Sequence, residues 1–305
     1  MKIRNLILTA VAGAAALTTA ACAELDTEKL FSDDNPHGFF NSAYIAGTDM
    51  PDEGNNYKVV GQADFGDETD EINAALDASR EAYENQGEAM PPRILDMTPR
   101  PDGSQTHVLT TTDRAMAVAR GRQDIPSDPH GWPAQNPKAY VHFSAGREYN
   151  GYFWNRSHLV ADSLGGLPDV NNLIPGTRAQ NVGDNQDPGG MAYTETIARN
   201  FLDDQLDQAD KKPSTEAIDA LVGIGITHTK KGNPLPESVD LPTHATCDVA
   251  YQAQPIYEPG EAIPRSVTVN IKTCDGSIDE QVEVPNTMPG YAINYATGDF
   301  RKQEG

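Results

Sequence analysis

The chain has 305 residues, with 45 acidic side chains against 23 Lys and Arg and a formal net charge of −22. That length holds one large domain or two small ones around a sizeable core. The charge excludes non-specific nucleic-acid binding through the whole surface, so any anionic ligand must be met by a local cluster of arginines.

The first residues read as an export signal. Lys2 and Arg4 precede an apolar run from Leu6 to Ala16, and small residues follow from Thr18 to Ala23. The run falls short of the ~20 residues a membrane span needs, and no later segment is a transmembrane candidate. Cleavage after Ala21 would leave Cys22 at the new N-terminus, as in a membrane-anchored bacterial lipoprotein. Cleavage after Ala23 follows an A-x-A pattern and releases a free, secreted protein. Thr19 stands where a lipoprotein signal usually has Leu. Residues 1–23 are therefore assigned to a signal peptide.

Residues 24–92 read as an acidic, partly disordered lead-in. From Glu24 to Ala75 there are 13 acidic residues and two lysines, half of the total net charge, among many Asn, Gly and Pro. One short helix is expected at Asp70–Tyr83. The acidic run at Gly66–Glu71 could hold Ca²⁺ but lacks the spacing of a known loop, and a solvated acidic face describes it better. Met90–Pro92 marks a boundary, and residues 93–305 are assigned to the principal domain.

Beyond the boundary, "THVLTTTDRAMAVARGR" mixes a strand with a short helix, and "DIPSDPHGWPAQNP" is a turn-rich loop. "AYVHFS" reads as a strand with Tyr140, His142 and Ser144 on one face. The stretches "NRSHLVADSLGG" and "NNLIPGTRAQN" come next. "MAYTETIARNFLDDQLDQAD" is a helix with Ile197, Phe201, Leu202 and Leu206 as its apolar stripe. The tail holds a strand, a turn centred near Gly260, and a strand with Val267, Val269 and Ile271 on one face. A last strand is expected around "GYAINYATG". Cys247 and Cys274 fall opposite each other at the open end of that hairpin, where a disulfide is feasible in an oxidising compartment. Strands, a central helix and more strands suggest an α+β fold on an antiparallel sheet.

The chemistry concentrates around His158. Arg156 is nearby and has no obvious local acidic partner. Asn172 and Asn181 follow, and Glu195 and Arg199 share a face of the next helix. "DPGG" at residues 187–190 breaks that helix from Asn181, so the loop can turn back toward Glu195. Such a set suits phosphodiester hydrolysis. A neutral His takes a proton from water, a hard cation such as Mg²⁺ accepts oxygen ligands and keeps several waters, and arginines grip phosphate oxygens. His158-x3-Asp162 is a poor zinc pair, since no second His lies near. Carboxylate pairs for glycoside hydrolysis are plentiful, but no pair is singled out.

These motifs resemble the DNA/RNA non-specific endonuclease family of the His-Me finger (ββα-metal) superfamily, nearest to secreted bacterial streptodornase and DNA-entry-nuclease types. The family motif Asp-Arg-Gly-His or Asn-Arg-Ser-His is matched by Asn155-Arg156-Ser157-His158. Asn-Leu-(Ile/Val)-x-Gly-Thr-Arg followed by a second Asn is matched by Asn172 to Arg178 and Asn181. A helix carrying Glu195 comes next. Further echoes are His130-Gly131-Trp132 and Gly290 to Gly298, so the likeness covers roughly residues 100–300. Asn155 stands where many members have Asp, and the acidic composition departs from the basic surface expected of a nuclease.

The resemblance implies a central antiparallel sheet carrying a ββα-metal core. It implies a secreted, Mg²⁺-dependent hydrolase, with Mn²⁺ as a substitute, that cuts DNA and RNA to leave 5′-phosphate and 3′-hydroxyl ends. In that scheme His158 is the general base and Asn181 the direct metal ligand. Asn172 supports the finger and Glu195 holds metal-bound water. Arg156 contacts phosphate, Arg199 stabilises the transition state, and Arg147 and Arg178 are further phosphate-binding candidates. The alternative is a catalytically inactive cell-surface nucleic-acid-binding or adhesion protein on the same scaffold.

Overall fold

A computed structural model describes residues 45–46, 55–143, 146–184 and 188–303. All belong to one compact unit spanning 44–305. The export signal, Cys22, the first half of the acidic lead-in, Ser144 and Asp187 lie outside the described residues.

In chain order, β1 (Ile45–Ala46) and β2 (Lys58–Gly61) precede a 3-10 turn, Gly66–Glu68, and helix α1 (Thr69–Glu84). Strand β3 (Gln105–Leu109) leads into α2 (Thr111–Arg120). The hairpin β4 (Lys138–His142) and β5 (Glu148–Tyr152) is followed by β6 (Trp154–His158), β7 (Leu173–Thr177), α3 (Arg178–Val182) and α4 (Met191–Gln208). Then come β8 (Lys211–Ser214), α5 (Glu216–Gly223) and β9 (Val239–Pro242). The chain closes with β10 (Val249–Ile256), β11 (Ser266–Thr273), β12 (Asp279–Pro285), β13 (Tyr291–Ile293) and β14 (Phe300–Lys302).

The central sheet runs β2-β12-β11-β10-β3, every pair antiparallel. Its register follows from alternation. Val267, Val269 and Ile271 are fully buried on one face, with Val249, Tyr251, Ala253, Val282 and Val284 beside them. This face packs against α4 and the segment Leu159–Leu164. The deepest line on α4 is Met191, Thr194, Ala198 and Leu202. Ile197 and Phe201, expected in the stripe, flank it half-buried, because the small Ala198 and Thr194 bring the helix closest to the sheet.

The β10–β11 hairpin turns around Gly260 at φ +85°, and Cys247 and Cys274 close its open end in a disulfide with Cα atoms 5.4 Å apart. A second core joins β4, Phe143, Phe153 and Trp154 to Ile263, Met288, Tyr291, Ile293 and Tyr295. Trp154 is anchored there by its indole N–H, which donates to the Gly298 carbonyl at 2.8 Å.

Residues 55–92 differ from the lead-in expected over 24–92. Lys58–Gly61 forms the edge strand of the central sheet, and Ile72 and Leu76 of α1 are buried with Phe65 and Ala250. A count of charges and turn formers missed this, because only two α1 side chains of any bulk are buried. The acidic run at 66–71 forms the 3-10 turn and the first turn of α1, where carboxylates favour the helix N-terminus. Among the described residues, no helix is long and apolar enough to cross a membrane.

Candidate active site

Strands β6 and β7 pair antiparallel, with His158 opposite Leu173 and Ser157 opposite Ile174. The turn between them is held by Asn172, which is fully buried. Its side-chain oxygen accepts from the Val160 N–H at 2.9 Å. Its amide donates to the Val160 and Leu167 carbonyls, both at 2.9 Å. Gly166 makes the clamp possible, because a Cβ there would lie 2.0 Å from the Val160 oxygen and 2.9 Å from Asn172 Nδ2. Asn172 therefore spends its amide on the turn and presents His158 at the strand end.

Arg120, at the last turn of α2, is 2% exposed and grips the same turn from outside. It donates to the Asp162 carbonyl at 2.7 Å, the Asp162 carboxylate at 2.9 Å and the Gly166 carbonyl at 3.2 Å. Helix α2 is itself fixed by a capping box between Thr110 and Asp113, and by Arg114, whose two bonds to Asp203 of α4 measure 2.7 and 2.9 Å.

His158 is half-buried, and burial pushes its pKa down to about 4, with help from the positive charges of Arg122 and Arg120. The imidazole is therefore neutral throughout the neutral range and free to accept a proton. Arg122 also acts on Asp162 and Arg178, so one guanidinium links the histidine, the turn and the end of β7.

Asn181 sits on α3, which follows β7 directly and packs against β6. Ser157 Oγ donates to Asn181 Oδ1 at 3.3 Å. Thr177 caps α3, its hydroxyl accepting from the Gln180 N–H at 3.0 Å. Glu195, one turn into α4, has its carboxyl raised to about 7 by burial, against the pull of Arg199 and with a push from Asp162. Arg199 lies one turn further on and donates to Thr196 Oγ1 at 3.1 Å. The residues His158, Asn172, Asn181, Glu195 and Arg199 thus fall on β6, the 3-10 turn Val170–Asn172 before β7, α3 and α4, with α3 packed on β6, β7 and α4.

The fold brings Arg156 an acidic partner from outside its own stretch. Asp128, 28 residues upstream in the turn-rich loop, accepts from Arg156 Nε at 2.8 Å and from Nη2 at 2.5 Å, and Trp132 lies under the guanidinium at 5.1 Å. An acidic partner so distant in sequence is invisible to a local reading. Arg178 stands over the Tyr149 ring at 5.7 Å, near Arg122. Arg147 is exposed beside the β4–β5 turn.

Further residues beyond the expected set belong here. Gln180 is fully buried beside Asn181, and neither end of its side-chain amide has a protein partner. A Cβ at Gly176 would lie 2.1 Å from Gln180 Oε1, so that glycine makes room for the amide. Asn55 plugs the loop between Asn181 and Glu195. Its side chain accepts from the Asp184 N–H at 2.5 Å, and its carbonyl accepts from the Gly190 N–H at 2.8 Å. Cβ atoms at Gly183 or Gly189 would collide with it. Tyr57 adds a stack on Tyr193 of α4, centroids 3.8 Å apart.

A hydrated divalent cation fits this donor set. Asn181 offers an amide oxygen with a lone pair to spare. Burial of the Glu195 carboxyl favours a cation beside it, and the unpaired Gln180 amide can bond to bound water. Among the described residues no group of three or more His, Cys, Asp and Glu side chains could form a cage, so water would complete the coordination.

No protein-family profile matches the chain. A deoxyribonuclease from Streptococcus dysgalactiae subsp. equisimilis is 33% identical over 153 residues, 50% of this chain and 34% of that protein. The chain thus spans about a third of the curated relative it matches. Among solved structures, the Sda1 nuclease with a bound zinc ion superposes with a TM-score of 0.55 at 25% identity, covering 84% of this chain and all of that one. The chain is similar to streptodornase-like nucleases. A looser match is NucA from Streptococcus agalactiae with magnesium bound, at 17% identity and a TM-score of 0.43, covering 68% of this chain and 76% of that one. The nuclease likeness carries the expected antiparallel α+β fold of the ββα-metal type.

Proposed function

We propose that the chain is a secreted, divalent-metal-dependent endonuclease that hydrolyses phosphodiester bonds of DNA and also accepts RNA. The observation that carries this is His158 on a clamped strand end, flanked by Arg122 and Arg120, with Asn181 on the helix packed against that strand and Glu195 on the next helix, α4, packed on α3. Likeness to a deoxyribonuclease and to a zinc-bound nuclease structure supports it.

In this reading His158 takes the proton from the attacking water. Asn172 keeps the imidazole in place by fixing the turn behind it. Arg122, with Arg178 and Arg199, meets the phosphate oxygens and balances the charge that builds up on them. Asn181 would hold the metal, with Glu195 and Gln180 placed to bond to its waters. When bound, the ion neutralises phosphate charge and stabilises the leaving oxygen. Mg²⁺ suits the oxygen donors, with Mn²⁺ as a substitute. Arg156, held by Asp128, offers one face to a passing phosphate only if that pair opens. Export follows from the signal at residues 1–23, with Cys22 as the lipid anchor if cleavage falls after Ala21.

The test is supercoiled plasmid with purified protein, with Mg²⁺ and with EDTA. Nicking followed by linear and shorter products in Mg²⁺ alone is expected. Intact plasmid in Mg²⁺ with folded protein would sink the proposal.

A further inference from the structure

The β4–β5 hairpin has two unlike faces. Ala139 and Val141 point inward and are buried against Phe153, Tyr291 and Ile293. The outward face pairs Lys138 with Tyr152, Tyr140 with Asn150, and His142 with Glu148. Tyr140 is 42% exposed and Tyr152 is 59% exposed. The Lys138 ammonium lies 5.9 Å from the Tyr152 ring, and His142 meets Tyr140 edge-on at 4.7 Å. The two tyrosines occupy diagonal positions across the pair, roughly 7–8 Å apart in such a ribbon. Both rings stand in solvent, Tyr140 against His142 and Tyr152 beside Lys138.

The support beneath them is firm. The Tyr291 hydroxyl accepts from the Tyr140 N–H at 3.1 Å and donates to the Tyr140 carbonyl at 3.0 Å. The Tyr149 ring lies across Gly151, where a Cβ would come within 2.6 Å of it, and its hydroxyl donates to the Tyr152 carbonyl at 2.6 Å. Only Phe153 separates β5 from β6, the strand that ends in His158. On the inward face of β5, Tyr149 lies under Arg178.

We propose that the outer face of β4–β5 is a stacking platform for an unpaired stretch of the substrate nucleic-acid strand. This rests on the nuclease reading. Tyr140 and Tyr152 take the faces of bases, and Lys138 meets a neighbouring phosphate. Stacking is sequence-tolerant because every base has a flat face, and it needs no positive surface, which a chain of net charge −22 lacks. Glu148 stands on the same face, 3.3 Å from the His142 ring nitrogen. Bases in an intact duplex keep their faces covered, so the platform favours single-stranded or frayed substrate.

The experiment measures binding by fluorescence anisotropy in the full chain carrying His158→Ala, with Mg²⁺ present. The probes are a labelled single-stranded DNA oligonucleotide and a blunt duplex containing it. Adding Tyr140→Ala and Tyr152→Ala should weaken single-strand binding about tenfold or more and duplex binding by much less. The Tyr140→Phe, Tyr152→Phe pair should bind as its parent does. Equal unfolding midpoints for all three proteins confirm the fold. The platform is overturned if the parent does not bind the single strand or if the alanine pair binds within about twofold of it. It is equally overturned if the loss is as large on the duplex, or if the phenylalanine pair loses as much as the alanine pair. Failure of the wild type to cut DNA would instead strike the nuclease reading, and the binding comparison reports on the platform separately.

Discussion

His158 carries the residue-scale argument. An ordinary imidazole charges near 6.5, but burial and two arginines hold this one near 4. The shift disfavours the protonated form, so the proton-accepting form persists through the window where an exposed His would be lost. Accordingly, kcat/KM should hold between about pH 5 and 6.5 and fall only nearer the lowered pKa. A pH–rate profile whose acid limb sits at about 6.5 would place the base elsewhere. Glu195 shows the opposite sign. Its pKa rises from 4.5 to about 7, so folding favours the neutral carboxyl and metal-free stability is lost as pH rises through that range. Glu195→Gln in EDTA should therefore raise the melting temperature near pH 8 and change it little near pH 4. Equal effects at both pH values would contradict the burial argument. His158 and Glu195 stood out in sequence through their motif setting. Arg122 did not, since a lone arginine after "ARG" carries no local mark and only packing brings it beside His158.

At the scale of elements, the β10–β11 hairpin and the long helix were legible, because alternation and apolar spacing are local; the β4–β5 and β6–β7 pairs were not, since β5 and β6 are short and polar. The five-stranded order was not, since it depends on which distant strands meet. The segment at 55–61 shows this best. It is embedded in acidic, turn-prone chain, yet Asn55 pins the loop before α4 and Lys58–Gly61 closes the sheet edge. Asn55→Ala removes the acceptor from the buried Asp184 N–H, a loss of roughly 1–3 kcal/mol borne by the loop that sets Asn181 against Glu195. Lower nuclease activity together with faster amide exchange at Asp184 is expected. Unchanged exchange there would mean that the contact does not hold the loop.

Across the whole molecule, a large negative charge surrounds a small arginine cluster. If Arg122, Arg178 and Arg199 make the phosphate contacts, the slope of log K against log salt should be shallow, roughly −2 to −3. A slope steeper than about −6 would demand a basic surface that the composition does not supply. The Cys247–Cys274 bridge closes a loop of 27 residues inside the central sheet. Replacing both cysteines by alanine should cost roughly 3 kcal/mol in urea unfolding, while leaving the distant His158 site able to cut under native conditions.

The central claim is that His158, in this arginine-flanked and metal-ready setting, makes the nucleophile. Single-turnover cleavage of plasmid DNA by the wild type and by His158→Ala, both in saturating Mg²⁺, tests it most directly. The account predicts a rate loss of about a hundredfold or more in the variant, with the unfolding midpoint little changed. A folded variant that cuts within about threefold of the wild type would contradict it.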